Sequence, residues 1–236
     1  MTLTDIARQL QSDLGLHNPP VALTFSDEPP ENVAAPPGPV PSACSFWRAA
    51  ERGTFFATAQ DHYQCPVGSM VMGFELPEEV QQRLGDVVGG MCERQYISIG
   101  EPPKIPVVKS AHAGILYGPL AEATSPPDVV LLWVTARQAM LCNEAMGTAD
   151  WTAGYPATTG RPGCAALPLA MAEGAPSLSF GCAGLRTFTG IGDDQMLVAV
   201  PGTGLTAFAE AIGNVVAVNA QMTAYYKDEQ QRVDGG

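Results

Sequence analysis

One order of features occurs twice along the chain, and it constrains the fold more than any other property of the sequence. An apolar strand is followed by a cysteine, a helix that ends at glycine, a second cysteine and another apolar strand. In the first half these features are 21–25, Cys44, Gly53, Cys65 and 114–119. In the second half they are 129–133, Cys164, Gly174, Cys182 and 196–202. Such a repeat predicts an α/β fold of two related α/β halves packed as one globular unit. Chance similarity among common residues is the alternative.

The domain boundaries follow from this order. They are an N-terminal helix over 1–20, a first α/β half over 21–127, a second α/β half over 128–228 and a polar tail over 229–236. Local patterns predict helices over 3–14, 78–84 and 205–227 and a loop over 154–163. A pseudo-twofold axis between the halves would bring the corresponding cysteines to one interface.

Composition narrows the class of protein. Of the 236 residues, 46% are hydrophobic and 15% are charged, which is typical of a well-packed globular chain. No apolar run is long enough for a membrane span, and the N-terminus lacks the features of a signal peptide, so we expect a cytoplasmic protein. The net charge of −12 argues against nucleic-acid binding, and the lack of a basic amphipathic helix argues against membrane binding. The expected partner is a small-molecule substrate, and a homo-oligomer is possible.

The six cysteines are the best candidates for chemistry. In a reducing compartment they favour metal binding or thiol chemistry over disulfides, and no Cys-x-x-Cys pair is present. Cys65 precedes Pro66 at a predicted helix start, where free N–H groups favour a thiolate. Cys182 follows a strand between glycines, Cys44 falls in the first turn of a helix, and Cys164 lies in the loop before one. For each of them a buried structural cysteine is the alternative interpretation.

Four segments carry a resemblance to a known family. They are Ala-Cys-Ser-Phe-Trp (43–47), Asp-His-Tyr-Gln-Cys-Pro-Val-Gly (61–68), Gly-Arg-Pro-Gly-Cys-Ala (160–165) and Ser-Phe-Gly-Cys-Ala-Gly-Leu-Arg-Thr-Phe-Thr-Gly-Ile-Gly-Asp-Asp (179–194). Together they resemble the uncharacterised prokaryotic ArCR group, domain-of-unknown-function family 169. The family pattern that the resemblance implies has cysteines at four positions, here called the cysteine quartet (Cys44, Cys65, Cys164 and Cys182). It also has an arginine at Arg186 and acidic residues at Asp193 and Asp194. It implies no activity. Cys92 and Cys142 lie outside the pattern, and we predict that they are core residues.

Several polar residues are weaker candidates. His62, close to Cys65, is a candidate proton carrier, and Arg186 is a candidate clamp for a negatively charged substrate group. Asp193 and Asp194 favour a turn over a cation site or general base. No P-loop, dinucleotide fingerprint or nucleophile elbow is present.

Three functions follow from these residues. The first is a cysteine-ligated metalloprotein, an iron–sulfur enzyme of lyase or oxidoreductase type that acts on a small molecule, with zinc or haem as alternative cofactors. The second is a metal-free thiol enzyme with Cys65 as nucleophile. The third is a non-catalytic protein that binds a tetrapyrrole or another apolar ligand. The residues expected to wall such a pocket are Trp47, Met70, Met72 and Phe74.

Overall fold

A seven-stranded sheet connects the N-terminal and C-terminal parts of the chain. The computed structural model describes residues 1–146, 158–159 and 161–234, so most of the predicted loop over 154–163 lies outside the described residues. The strands are β1 (Val21–Ser26), β2 (Phe55–Thr58), β3 (Gly114–Pro119), β4 (Val129–Thr135), β5 (Thr158–Thr159), β6 (Ser177–Ser179) and β7 (Gln195–Pro201). Their spatial order is β2-β3-β1-β4-β7-β6-β5. All neighbours pair antiparallel except β5 and β6, which are parallel.

The helices cover both faces of this sheet, so the α/β class is as predicted. They are α1 (Leu3–Leu14), α2 (Ser45–Ala50), α3 (Ala59–His62), α4 (Pro66–Val71), α5 (Glu78–Glu93), α6 (Ala136–Ala145), α7 (Ala166–Glu173), α8 (Ala183–Thr189) and α9 (Leu205–Asp234). Within the described part of the chain, no helix is long and apolar enough to cross a membrane.

Helix α1 matches its predicted bounds because both of its ends are encoded locally. The Asp5 N–H donates to the Thr2 hydroxyl oxygen at 3.1 Å, and the Thr2 N–H donates to the Asp5 carboxylate at 3.2 Å. Gly15 ends the helix with φ of +65°, a conformation that glycine adopts without steric cost.

Two other helices are longer than predicted. Helix α5 runs to Glu93 rather than to residue 84, and α9 runs to Asp234, through most of the predicted polar tail. The apolar residues of α5 continue at helical spacing from Leu84 to Met91, so the amphipathic pattern extends beyond the predicted end.

The strand register is the same in the two halves of the chain. In the first half Val21 of β1 pairs with Pro119 of β3, and in the second half Val129 of β4 pairs with Pro201 of β7. The outer strands repeat this agreement. Phe55 pairs with Tyr117, and Ser177 pairs with Ala199, each two residues before the proline. Between the halves, β1 and β4 pair antiparallel around Ala22 and Val130.

The core consists of one apolar cluster on each face of the sheet. On the face that we call the closed face, α1, α6 and α9 pack on alternate residues of the central strands, including Leu132 and Val198. On the face that we call the cavity face, α2, α4, α7 and α8 pack on the intervening residues, including Leu131 and Leu197. The cysteine quartet lies on the cavity face.

Candidate functional site: a cysteine-lined cavity

The members of the cysteine quartet all line one cavity, although they come from distant parts of the chain. The cavity has a volume of about 480 Å³. It lies where the turns that precede α2, α4, α7 and α8 approach one another. All six cysteines of the chain are free thiols. The fold therefore gathers four free thiols at a single site.

Cys65 and Cys182 occupy the same position relative to a helix. Each is the N-cap residue of a short helix, α4 or α8. The Cys65 sulfur accepts from the Gly68 N–H at 3.3 Å, and the Cys182 sulfur accepts from the Leu185 N–H at 3.4 Å. In both cases the donor lies three residues after the cysteine, as for a serine or threonine cap. These bonds fix where the two sulfurs lie, and both side chains keep partial exposure to the cavity.

Cys44 is more deeply placed. It precedes α2 and is 6% exposed, and its sulfur lies 2.6 Å from the Ser42 hydroxyl oxygen in a hydrogen bond. Burial raises the pKa of the Cys44 thiol to about 12; the Ser42 bond opposes this rise, and the neighbouring Cys65 and Cys182 add to it. The Cys44 side chain is therefore a neutral thiol at neutral pH unless a bound cation compensates a thiolate.

Cys164 lies in a 3₁₀ turn, Gly163–Ala165, directly before α7. Burial raises the pKa of its thiol well above the ordinary value, and Cys65, Cys182 and Cys44 raise it further. The four cysteines line the same cavity, so their sulfurs face a shared space. Ionising several of them together needs a cation or a cationic group among them.

Two glycines allow the cysteine-bearing turns to approach closely. A Cβ atom on Gly68 would lie 2.7 Å from the Ala43 Cβ and 2.9 Å from the Cys65 sulfur. A Cβ atom on Gly163 would lie 2.7 Å from a Leu185 methyl carbon. Side chains at these positions would push α4 away from α2 and the turn of Cys164 away from α8, so glycine keeps the cavity compact.

His62 lies in the core rather than on the cavity wall. It is 1% exposed; its Nδ1 lies 2.6 Å from the Thr58 carbonyl oxygen, and its Nε2 lies 2.8 Å from the Tyr117 hydroxyl. A carbonyl only accepts, so Nδ1 carries the hydrogen and Nε2 accepts from Tyr117. Burial lowers the pKa of His62 to about 4, which keeps the ring neutral. This placement favours a structural role, and the proton-carrier role stays a prediction.

Arg186 holds backbone rather than an open site. Its guanidinium donates to the carbonyl oxygens of Phe180 at 2.8 Å, Gln195 at 3.0 Å and Gly192 at 3.1 Å. It thereby ties the segment before α8 to the turn before β7, and it supports Cys182 indirectly. All three of these bonds go to backbone carbonyl oxygens, which favours a structural role for the guanidinium. Its role as a substrate clamp stays a prediction. Asp193 and Asp194 are exposed in that same turn.

The remaining sequence candidates divide between core and cavity. Cys142 is fully buried in α6 on the closed face, where burial raises the pKa of its thiol to about 12. Cys92 is only partly buried on α5, so it is less of a core residue than predicted. Of the four apolar residues predicted to wall a pocket, Met70 lines the cavity, whereas the other three are core residues.

Sequence reasoning missed three parts of the site. Ser42 supports the Cys44 sulfur, and its position two residues away was the available signal. Tyr117 lies near Cys164 and Cys44, and burial followed by these two thiols raises the pKa of its hydroxyl. Nothing in the apolar strand that contains Tyr117 indicated that its hydroxyl would lie near the cysteines. The third part is α5, which covers the cavity with apolar side chains.

Four cysteine sulfur atoms are the thiol donors for a metal among the described lining residues. Cysteine sulfur atoms are ligands of zinc ions, and they are the standard ligands of iron–sulfur clusters. Within the described ranges, no group of three His, Cys, Asp or Glu side chains is placed to hold a metal ion. A cluster spans thiolates that lie farther apart than the ligands of one ion, since iron and sulfide atoms lie between them.

A family model matches the chain over residues 9–211, which include the entire cysteine quartet. The chain belongs to the ArCR family. This family, domain of unknown function 169, is described as uncharacterised. The match confirms the resemblance carried by the four cysteine-containing segments. No curated protein and no solved structure matches this ArCR protein.

Proposed function

We propose that the cysteine quartet holds an iron–sulfur cluster and that the protein is an enzyme acting on a small molecule beside it. The observation that carries this proposal is that four free thiols, distant in sequence, line one cavity. Cysteine thiolates are the standard ligands of such clusters. Free thiols also suit the reducing cytoplasm, which is the compartment that we propose.

The two halves of the chain are, in this proposal, related copies around a pseudo-twofold axis between β1 and β4. The support is the matching register, in which Val21 and Val129 each pair with the proline that ends a strand. The pairing of β1 with β4 around Ala22 and Val130 is itself symmetric. The axis relates Cys65 to Cys182, the two N-cap cysteines. A shared origin of the halves explains why the ligands come in two similar pairs.

The four cysteines would contribute to cluster binding in two different ways. Cys65 and Cys182 present sulfurs that backbone N–H bonds already hold in place. Cys44 and Cys164 supply thiols whose pKa is raised by burial. These thiols would lose their protons when the metal binds, so assembly would release protons and become more favourable as pH rises. The Ser42 hydroxyl is placed to donate to the Cys44 sulfur once that sulfur is ionised. When bound by all four cysteines, the cluster would supply electron transfer, as oxidoreductase chemistry requires. If one of the four were not a ligand, the open iron would supply a Lewis acid, as lyase chemistry requires.

Metal analysis of the full-length chain, purified without oxygen, tests this proposal. We expect iron and acid-labile sulfide in comparable amounts and a broad brown absorption. Cys65→Ala and Cys182→Ala should each lose most of the iron. Cys142→Ala is the control, because it removes a thiol from the closed face, away from the cavity, and should retain the iron.

Two results would contradict the proposal. One is zinc without iron in the purified protein. The other is full iron content in folded Cys65→Ala and Cys182→Ala proteins. A colourless, metal-free protein in which Cys65 reacts rapidly with an alkylating agent would support the metal-free thiol enzyme instead.

A further inference from the structure

The cavity extends beyond the cysteine quartet into an apolar chamber beneath α5. Four side chains of α5 form its cover, namely Leu84, Val87, Val88 and Met91. Met70 and Ile105 belong to the same wall. The total volume of about 480 Å³ falls within the range of about 300–1,000 Å³ found for small-molecule sites.

Helix α5 faces this space with the side that would normally enter a core. It has 16 residues, and Val80 alone among them is buried. Val87 lines the cavity and is still 38% exposed. Protein interiors are usually close-packed with few voids larger than a water molecule. An apolar helix face that lines a large void therefore indicates that something apolar fills it.

The charges at the cavity neutralise each other. Among the described lining residues, Arg161 and Glu101 are the charged ones, and they form a two-point ion pair with distances of 3.2 and 3.3 Å. The Arg161 guanidinium also lies 5.0 Å from the centre of the Tyr96 ring. The Tyr96 hydroxyl accepts from the Ala183 N–H at 3.4 Å.

This group lies at the mouth of the cavity rather than inside it. The side chains of Arg161 and Glu101 are 42% and 38% exposed, although both line the cavity. It joins segment 96–101 to the turns that carry Cys164 and Cys182. Since Arg161 is already paired, the chamber offers no free positive charge within the described lining. A charged ligand would have to lose its hydration without gaining a partner.

We propose that the chamber binds an uncharged, largely apolar organic molecule, which is the substrate presented to the cysteine quartet. Its role as substrate rests on the proposed function, whereas its binding does not. Apolar contacts with α5 would hold it, and the Arg161–Glu101 pair would close the mouth over it.

Equilibrium binding of two matched probes tests the chamber. 1-Naphthylmethanol and 1-naphthoate have similar shapes, but only the second is charged at neutral pH. We expect the alcohol to bind at least about tenfold more tightly, because the carboxylate would be desolvated without a partner. Tryptophan in place of Val88 fills the chamber and should weaken binding of the alcohol by at least about tenfold.

A control variant and a second blocking variant make the test decisive. Val218→Trp places the same bulk on the exposed side of α9 and should leave binding unchanged. Met91→Trp replaces Val88→Trp if circular dichroism shows that the latter does not fold. Equal or tighter binding of the naphthoate, or unchanged binding in both folded blocking variants, would overturn the proposal.

The probe titration and the iron and sulfide analysis of the same protein together separate the two proposals. Binding of the alcohol to a protein that never contains iron would support the chamber and contradict the cluster. Iron and sulfide in a protein that binds neither probe would do the reverse.

Discussion

The two faces of the sheet contain the same kinds of residues but are built differently. On the closed face, α1, α6 and α9 have 12, 10 and 30 residues, and capping boxes begin the first two. On the cavity face, α2, α4, α7 and α8 have 6, 6, 8 and 7 residues. Helices that short are not stable alone, so neighbouring elements must hold them.

This difference separates a face that stabilises from a face that can bind. Long helices bury continuous stripes of apolar residues against the sheet. Short helices bring several N-termini to one cavity, where cap residues and glycines meet. A cysteine in the first setting, Cys142, is an inert core residue in the interior of α6. A cysteine in the second setting, Cys65 or Cys182, faces a cavity.

The largest expected effect tests whether the closed face dominates stability. Leu132→Ala should lower the free energy of unfolding by about 2–5 kcal/mol, because it opens a cavity in a packed core. Leu84→Ala on α5 should lower it by less than about 1 kcal/mol, because this partly exposed side chain already borders a void. Urea unfolding at constant m-value measures both. Equal losses would show that α5 belongs to the packed core.

Sensitivity to acid should come from the cavity face. His62 has its pKa lowered by burial from 6.5 to about 4. Below pH 6.5 the unfolded chain takes up a proton that the folded chain does not. The contribution of His62 is therefore complete above pH 6.5 and is lost as pH falls to about 4, with a total of about 3 kcal/mol.

Urea unfolding across pH 4–6.5 measures this slope, and His62→Gln is the comparison variant. The slope should be smaller in His62→Gln, while Cys142→Ala on the closed face should keep it, since a thiol titrates at alkaline pH. The same slope in wild type and His62→Gln would assign the acid sensitivity to other groups.

Two glycine substitutions sharpen the comparison within the cavity face. Gly68→Ala should destabilise the protein by about 1–3 kcal/mol, because the added methyl group would overlap Ala43 and Cys65. Gly85→Ala in α5 has open space around it and should stabilise the protein by about 0.5–1 kcal/mol through higher helix propensity. Thermal unfolding measures both, and a neutral Gly68→Ala would mean that α2 and α4 separate freely.

Local signals in the sequence were sufficient for part of this structure. Thr2, Asp5 and Gly15 mark both ends of α1, and they act within a few residues of each other. Apolar runs gave the central strands for the same reason, because alternation and burial are properties of a short segment. The order of cysteines and strands likewise indicated which four cysteines to consider together.

The sequence by itself determined the capped helix ends and the apolar strands, since each depends on neighbouring residues. The tertiary structure alone decided which contacts form between residues that are distant in the sequence. It placed His62 against Tyr117 in the core, used Arg186 to hold three carbonyl oxygens, and paired Arg161 with Glu101 across 60 residues of chain. It also laid α5 over a cavity instead of a core. Contacts of this kind depend on how distant segments pack on a shared sheet, and no periodicity within one segment encodes them.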